Sequence, residues 1–367
     1  MVGYSVELIE HIDFVATQKK WERLESEIGI ENVFLSWFWI GNWLRQIEHL
    51  NPALITFKYE NKIIGLAFFC QHTKRVLGIP IRQSYINRTG LLEFDQPWIE
   101  FNDILVSEQH RQSCMRLFIQ WLNEHPTDEW VLSLTLRIKD WQNKSNLTLD
   151  TDTVPAYSVS LGEQTCTFDT YLTSLSKNTR STLRRAVRYI EEKFGKISIK
   201  RFENELPHNE LNQLGTWHKK RWSEGNQKSG FFNDLFIDFH QSLQKNPTQT
   251  YNVETLTFYA GKTKIGYLYY LAGVTDVKFY LSAINYCDGN NRYQPGLVMH
   301  ALAIVHYSLL GYKNYDFMGG DSQYKRSLSN NAYSLYSVIL RPNTLRNSCF
   351  RAMRKVLKKF KTTMSAI

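Results

Sequence analysis

The stretch Val277–Met318 reads VKFYLSAI-NYCDGNNRYQ-PGLVMHALAIVHYSLL-GYKNYDFM. Val277–Ile284 is rich in β-branched and aromatic residues, as a strand is. Gly296–Leu310 is apolar nearly all round, the pattern of a buried helix. Gly311 follows where a helix C-terminus favours glycine. Asn314–Met318 is a second short strand. The order strand, glycine-bearing loop, buried helix, strand predicts an α/β unit. Upstream of it, Val253–Ala260 and Lys264–Val274 form a hairpin around Gly261-Lys262, and downstream Tyr333–Leu340 is a further strand.

The first half repeats this order. Ala53–Tyr59 and Lys62–Cys70 flank Glu60-Asn61 as a hairpin, Ile99–Val106 and Trp130–Ile138 read as strands, and Cys114, Leu117, Phe118, Trp121 and Leu122 share one helical face. Trp37, Ile40, Trp43, Leu44 and Ile47 mark an earlier amphipathic helix. The two hairpins share text, Lys62-Ile63-Ile64-Gly65 against Lys264-Ile265-Gly266. The polar segment Trp141–Thr153 reads as the linker. The expected division is a first unit at 1–150, a second at 151–341 and a tail at 342–367. Between linker and second hairpin lie three helices: Ser174–Lys193, with Lys177, Arg180, Arg184, Arg185 and Arg188; Asn209–Ser223; and, after a polar loop Gly225–Gly230, Phe231–Leu243.

Bulk properties bound the function. A chain of 367 residues, 43% hydrophobic and 14% aromatic, suits two globular units. Met1–Glu10 lacks the basic start and apolar run of a secretion signal, and no apolar run is long enough to span a membrane. The five cysteines, Cys70, Cys114, Cys166, Cys287 and Cys349, show no metal or redox spacing. These features together predict a cytoplasmic protein without a metal. The net charge of +9 is concentrated in the tail, where residues 341–361 hold eight Lys and Arg and no acid. The body is not the basic slab that grips DNA. In residues 344–361, Phe350, Met353, Val356, Leu357 and Phe360 recur at helical spacing among the basic residues. This suits peripheral contact with an anionic membrane surface, although a solvated basic end has the same composition.

Walker, G-x-G-x-x-G, G-x-S-x-G and H-E-x-x-H motifs are absent, which argues against nucleotide hydrolases, dinucleotide oxidoreductases, common serine hydrolases and zinc hydrolases. Three segments remain. The loop Asp288–Gly296 runs into a helix whose N–H groups and dipole favour phosphate, with Pro295 at the first turn, Gly296 permitting close approach and Arg292 available for a charged contact; an ordinary turn has the same composition. Tyr315-Asp316-Phe317-Met318-Gly319-Gly320-Asp321 ends a strand in a glycine pair, followed by Tyr324 and Lys325. Trp217-His218-Lys219-Lys220-Arg221-Trp222 places His218 beside Arg221 and Trp222 on one helix face, where a core histidine is the plain alternative.

Taken in order, these segments resemble the CelD-like acyltransferases, in the Fem-type, double-unit branch of the GNAT superfamily. The resemblance runs through Phe34–Trp43, Ile63-Ile64-Gly65, the basic Leu175–Tyr189 helix, His218-x-x-Arg221-Trp222, Gly230-Phe231-Phe232, Tyr293-x-Pro295-Gly296-Leu297 and Tyr315-Asp316-Phe317-Met318-x-Gly320-Asp321-x-x-Tyr324-Lys325. It implies an α+β fold of two tandem GNAT-like units, each a mixed, mostly antiparallel sheet flanked by helices. The second unit would carry the site, and Arg292, Tyr293, Pro295, Gly296 and Leu297 would hold acyl-CoA. The usual glycine-rich pyrophosphate signature keeps only one glycine here, so an aminoacyl-tRNA donor, as in Fem-type relatives, is the alternative; a catalytically empty GNAT-like binder is another. The acceptor would be an amine, such as an amino sugar or other cell-envelope precursor. Backbone N–H groups around Ala283–Asn285 would stabilise the oxyanion. Asp321 is the first candidate base and His218 the second; Asp321 would need to be buried or reached through water to work well near neutrality. Tyr324 or Tyr280 would protonate the thiolate, and Arg221, Trp222 and Lys325 would orient the acceptor.

Overall fold

The computed structural model describes residues 3–29, 31–76, 78–125, 127–142, 147–223, 229–344 and 347. The first half runs β1 (Tyr4–Ile9), α1 (Phe14–Ile28), α2 (Trp37–Ile47), β2 (Ala53–Tyr59), β3 (Lys62–Val76), β4 (Ile79–Ile86), a one-turn α3 (Leu92–Asp95), β5 (Leu105–Val106), α4 (Glu108–Glu124), β6 (Glu129–Thr135) and a one-turn α5 (Ile138–Trp141). The second runs β7 (Leu147–Ser160), α6 (Phe168–Ser174), α7 (Lys177–Phe194), β8 (Ile197–Glu203), α8 (His208–Trp222), α9 (Asp234–Lys245), β9 (Asn252–Ala260), β10 (Thr263–Ala272), β11 (Asp276–Ile284), α10 (Pro295–Leu309), β12 (Asn314–Gly319), α11 (Gln323–Leu328) and β13 (Asn331–Pro342).

All strands join one sheet, in the order β1-β2-β3-β4-β6-β13-β7-β12-β11-β10-β9-β8, with β5 beside β3. Matching β1–β4 and β6 with β8–β12, and β13 with β7, the order reads the same from both ends. The tandem arrangement of two similar units is therefore visible in the pairing itself. Only β4·β6 and β11·β12 are parallel, so the sheet is mixed and mostly antiparallel, as expected.

The last strand of each half is exchanged. β7 follows β6 in sequence yet pairs with β12, and β13 follows β12 yet pairs with β6. The two exchanged strands pair with each other along their whole length, from Asn331↔Ser158 to Pro342↔Leu147. Buried Arg341 on β13 fastens this seam. Its Nε donates to Glu129 on β6 at 2.8 Å, and its Nη1 pairs with Asp150 on β7. The segment expected to be a linker is thus largely strand, and residue 150 lies inside β7 rather than between units.

Three apolar cores fill the molecule. One face of the sheet is covered from both halves. The Trp-rich α2 packs Trp39 on Phe239 of α9 and on Tyr280 of β11, which explains why α2 is apolar on almost every side. The opposite face is covered by α4 in the first half and by α6, α7 and α10 in the second. The β2–β3 hairpin turns at Glu60 and Asn61, both at positive φ, the geometry a two-residue hairpin requires. Between β9 and β10, Gly261 at φ 55° leaves no room for a Cβ, which would stand 2.3 Å from the Phe194 carbonyl oxygen.

Other expectations shift. Of Ile99–Val106 only Leu105–Val106 is strand, and the basic helix begins at Lys177 after a separate α6. Edge strands β1 and β8, and β4, were not legible. Among the described residues no helix is long and apolar enough to cross a membrane. The membrane-contact expectation for 344–361 falls outside the described residues, apart from Thr344 and Asn347.

Candidate active site

β11 and β12 pair only through Asp276↔Asn314, Val277↔Tyr315 and Lys278↔Asp316. Beyond that point both are irregular. On β11, Tyr269 of β10 opposes Leu281 and Tyr270 opposes Phe279, so Tyr280 is the extra residue of a bulge. On β12 the register against β7 shifts between Asp316 and Gly319, with Met318 at φ 61°. Two bulges at the same level end the pairing of β11 with β12 and leave a gap in the ladder there.

Hydrogen bonding shows which groups face that gap. The Asn285 N–H donates to the Ile265 carbonyl at 3.0 Å. In an antiparallel ladder bonded residues alternate, so Ala283 and Asn285 are turned to β10, and Ser282 and Ile284 present their N–H groups to the gap. The expected donors at Ala283–Asn285 narrow to Ile284, joined by Ser282.

The loop before α10 borders the same end of β11. Asp288 accepts from the Tyr189 hydroxyl at 2.6 Å and from Lys193 at 2.7 Å, contacts that hold its carboxyl well below the usual carboxylate range. Tyr293 is a structural member of this loop. It is buried, its hydroxyl donates to the Asn285 carbonyl at 2.8 Å, and its N–H to the Asn290 carbonyl. Pro295 is buried as the first helical residue, Gly296 and Leu297 are half-buried and Arg292 is exposed. Gln294 makes no side-chain cap, and no partner is present among the described residues for the Gly296 and Leu297 N–H groups. An uncapped helix N-terminus with a glycine in its first turn can take a phosphate oxygen. A Cβ on Gly296 would stand 2.9 Å from the Ile284 side chain, so the glycine lets α10 close on β11.

The other expected residues divide between the faces of the sheet. On the α9 face, Tyr280 is half-buried beside His240, rings 5.0 Å apart, with its hydroxyl buried, facing the Trp98 backbone and without a side-chain partner. Burial drives the Tyr280 phenol well above its ordinary value. His218 accepts or donates at Ser229 Oγ, 2.7 Å away, and burial pulls it down to about 4. Trp222 and Arg221 lie exposed at the end of α8, with the Arg221 guanidinium 5.4 Å over the Tyr286 ring at the gap's rim. On the opposite face, Tyr324 stacks on His300 at 4.9 Å, and burial pushes its phenol above the ordinary value.

Two residues do not take the positions expected of them. Asp321 is half exposed, accepts from the Tyr157 hydroxyl at 2.9 Å and is paired with Arg326, contacts that push its carboxyl below the ordinary value. It is not buried, so of the two routes expected for it the one through water is the one its position leaves. Lys325 points inward: it is buried, donates to the Gly319 carbonyl at 2.6 Å, and is held below the ordinary lysine value by desolvation.

One residue was missed. Glu100, from the segment between α3 and β5 of the first half, reaches across to β12. Its Oε2 accepts the Gly319 N–H at 2.7 Å, and burial raises its carboxyl to about 7. Nothing local in the sequence marks it, because it lies in a segment read as strand and in the other half. Around it stand buried Asp316, which accepts from the Tyr333 hydroxyl and the Met318 N–H, each at 2.7 Å, and Lys278, paired with Asp276. Among the described residues no group of three or more His, Cys, Asp or Glu side chains could hold a metal ion.

Residues 177–326 match the family model of the acetyltransferase (GNAT) domain. The match begins at α7 and ends within α11, and so contains both divergent strands and α10. No curated protein matches the sequence. Solved structures share the fold at low identity. The C-terminal domain of a putative lysylphosphatidylglycerol synthetase from Agrobacterium fabrum aligns at TM-score 0.55 and 7% identity, covering 94% of this chain and 96% of that one. A conserved protein of unknown function from Bacteroides thetaiotaomicron aligns at 0.53 and 8%, covering 94% and 100%. FemX aligns at 0.53 and 9%, covering 90% and 96%. Residues 177–326 are thus similar to the acetyltransferase (GNAT) domain, within a sheet whose strand order repeats from end to end.

Proposed function

We propose that the protein transfers an acyl group from a coenzyme A thioester to an amine, in the gap between β11 and β12. The divergence of two parallel strands after Lys278/Asp316 carries this reading. It exposes the N–H groups of Ser282 and Ile284 to a thioester arm while the uncapped start of α10 flanks the same opening. In this role Gly296 and Leu297 hold the pyrophosphate through backbone N–H groups, and Arg292 adds charge from the loop. A strand-edge N–H stabilises the developing oxyanion without reorganisation. In this reading Tyr280, on the α9 face, or Tyr324, on the other, gives a proton to the departing thiolate. Arg221 and Trp222 border the acceptor's approach. An amino sugar or other cell-envelope precursor is the acceptor class, reached from the resemblance in the sequence. Work at the inner face of the membrane through residues 344–361 is an extension of the same reading.

A second donor is supported by α7. Lys177, Arg184, Arg185 and Arg188 are exposed there and make no ion pair among the described residues, a surface suited to RNA phosphates and so to an aminoacyl-tRNA. Calorimetry separates the two. The expected result is saturable binding of acetyl-CoA or a longer acyl-CoA, with a rise in melting temperature; a ligand at a hundred times its Kd adds about 2.7 kcal/mol. Binding of aminoacyl-tRNA and of no acyl-CoA selects the second donor. Binding of neither overturns acyl transfer.

A further inference from the structure

We propose that Glu100, supplied by the first half, is the general base of the acyl transfer performed in the second. The inference rests on the function proposed above and names a residue for it.

The two halves each have a parallel strand pair, β4·β6 and β11·β12, and the segment between β4 and β5 treats them differently. In the first half it closes the gap. Asn102 bridges the diverging strands, donating from Nδ2 to the Ile86 carbonyl at 2.8 Å and from its backbone to the Leu134 carbonyl at 3.3 Å, and it accepts from Asn87 at 3.0 Å. Two residues earlier in the same segment, Glu100 crosses into the second half. There it binds the Gly319 N–H. Counted on from the last β11·β12 pair, Gly319 stands level with Leu281, immediately beyond the bulge at Tyr280. The segment that blocks one gap therefore places a carboxylate in the other.

The arrangement around Glu100 suits a base. Only Oε2 is used, by Gly319. Oε1 has no hydrogen bond among the described residues and is not among the sealed, unpartnered atoms, so it opens toward solvent. No cation lies within ion-pair distance of the carboxylate among the described residues. Lys325 from α11 is spent on the Gly319 carbonyl and Lys278 from β11 on Asp276. The other charged or titratable groups facing it are Asp316 on β12, Tyr280 on β11 and Tyr333 on β13. The carboxyl consequently changes protonation near neutrality, where a base is most effective. Glycine at 319 leaves the approach free; a Cβ there would stand 3.1 Å from Oε2.

The step balances with groups already named. The acceptor nitrogen attacks the thioester carbonyl carbon and forms the C–N bond while Glu100 Oε1 takes a proton from that nitrogen. The C–S bond breaks as the tetrahedral centre collapses, and the thiolate is protonated from Tyr280, which recovers its proton from Glu100. The products are an amide and coenzyme A thiol.

Glu100→Gln tests this, since the amide can still accept the Gly319 N–H. The probe is acetyl-CoA, with release of free thiol measured as water takes the place of the amine. The expected variant binds acetyl-CoA within threefold of wild type and melts within a few degrees of it. It loses about a hundredfold or more in the rate of thiol release. The acid limb of the wild-type rate profile, centred near pH 7, is absent from it. A rate within tenfold of wild type, an acid limb that persists, or a loss confined to KM overturns the assignment. If water does not replace the amine, binding heats in buffers of different ionisation enthalpy decide: wild type exchanges protons on binding acetyl-CoA at pH 7 and Glu100→Gln does not, whereas equal counts overturn the proposal. Glu100→Asp, too short to reach Gly319, replaces the Gln variant should that fail to fold. A wild type that binds no acyl-CoA defeats the underlying function reading, and the base assignment with it.

Discussion

His240 is buried between Phe236, Tyr269 and Tyr280, with Nδ1 on the Tyr269 hydroxyl at 2.9 Å and Nε2 without a partner among the described residues. Burial lowers its pKa to about 3, and lowers His300 to about 3 and His218 to about 4. Each is neutral in the folded state, and the unfolded chain binds its proton first. Their stabilising contribution is present above about pH 6.5 and is lost as pH falls toward the folded values. Glu25 and Glu100, raised to about 7 by burial, act in the opposite direction and lose stability as pH rises through 7. Comparing wild type with His240→Asn isolates one histidine. Between pH 6 and 4.5 the unfolding free energy of wild type should fall more steeply, by about 1.4 kcal/mol per pH unit. Parallel denaturation curves would contradict the burial of a neutral His240. At this scale the sequence marks residues by chemical type, as it does for Tyr280, Tyr324 and His218. It could not register burial or pairing. Asp321 and Glu100 are both carboxylates, and only the fold leaves one exposed beside Arg326 and turns the other inward onto Gly319.

Among elements, α10 was the most legible. Proline at its start, glycine after its end and an apolar surface all round are local signals, and the helix runs Pro295–Leu309 with Gly311 at φ 86°. Its uncapped start also allows a test that separates stability from binding. Asp at the N-cap accepts from first-turn N–H groups and typically adds about 0.5–2 kcal/mol. The same carboxylate would occupy the place proposed for phosphate and repel it. Gln294→Asp should therefore raise the melting temperature while weakening acyl-CoA binding at least about tenfold, a loss of about 1.4 kcal/mol. Unchanged affinity would remove α10 from the donor site. β7 was illegible for the opposite reason. Thr148, Asp150, Thr151, Asp152 and Thr153 lack apolar alternation, and pairing with β13 makes them a strand, as tertiary context often overrides local preference.

Across the whole molecule, repetition in the sequence foretold two similar units. The exchange of β7 and β13 was not foretold, because no local pattern encodes which of two equivalent edges a strand will join. The exchange makes one sheet of both halves and lets the first half close its own gap with Asn102 while lending Glu100 to the other. Symmetry in the backbone thus coexists with asymmetry in the site. A crystal structure of the protein with acetyl-CoA examines this most directly. One molecule per chain is expected, its pantetheine arm between β11 and β12 against Ser282 and Ile284, its pyrophosphate on the N–H groups of Gly296 and Leu297, and its thioester carbonyl beside Glu100. Coenzyme A lodged between β4 and β6, or bound away from the β11–β12 gap altogether, would contradict the account.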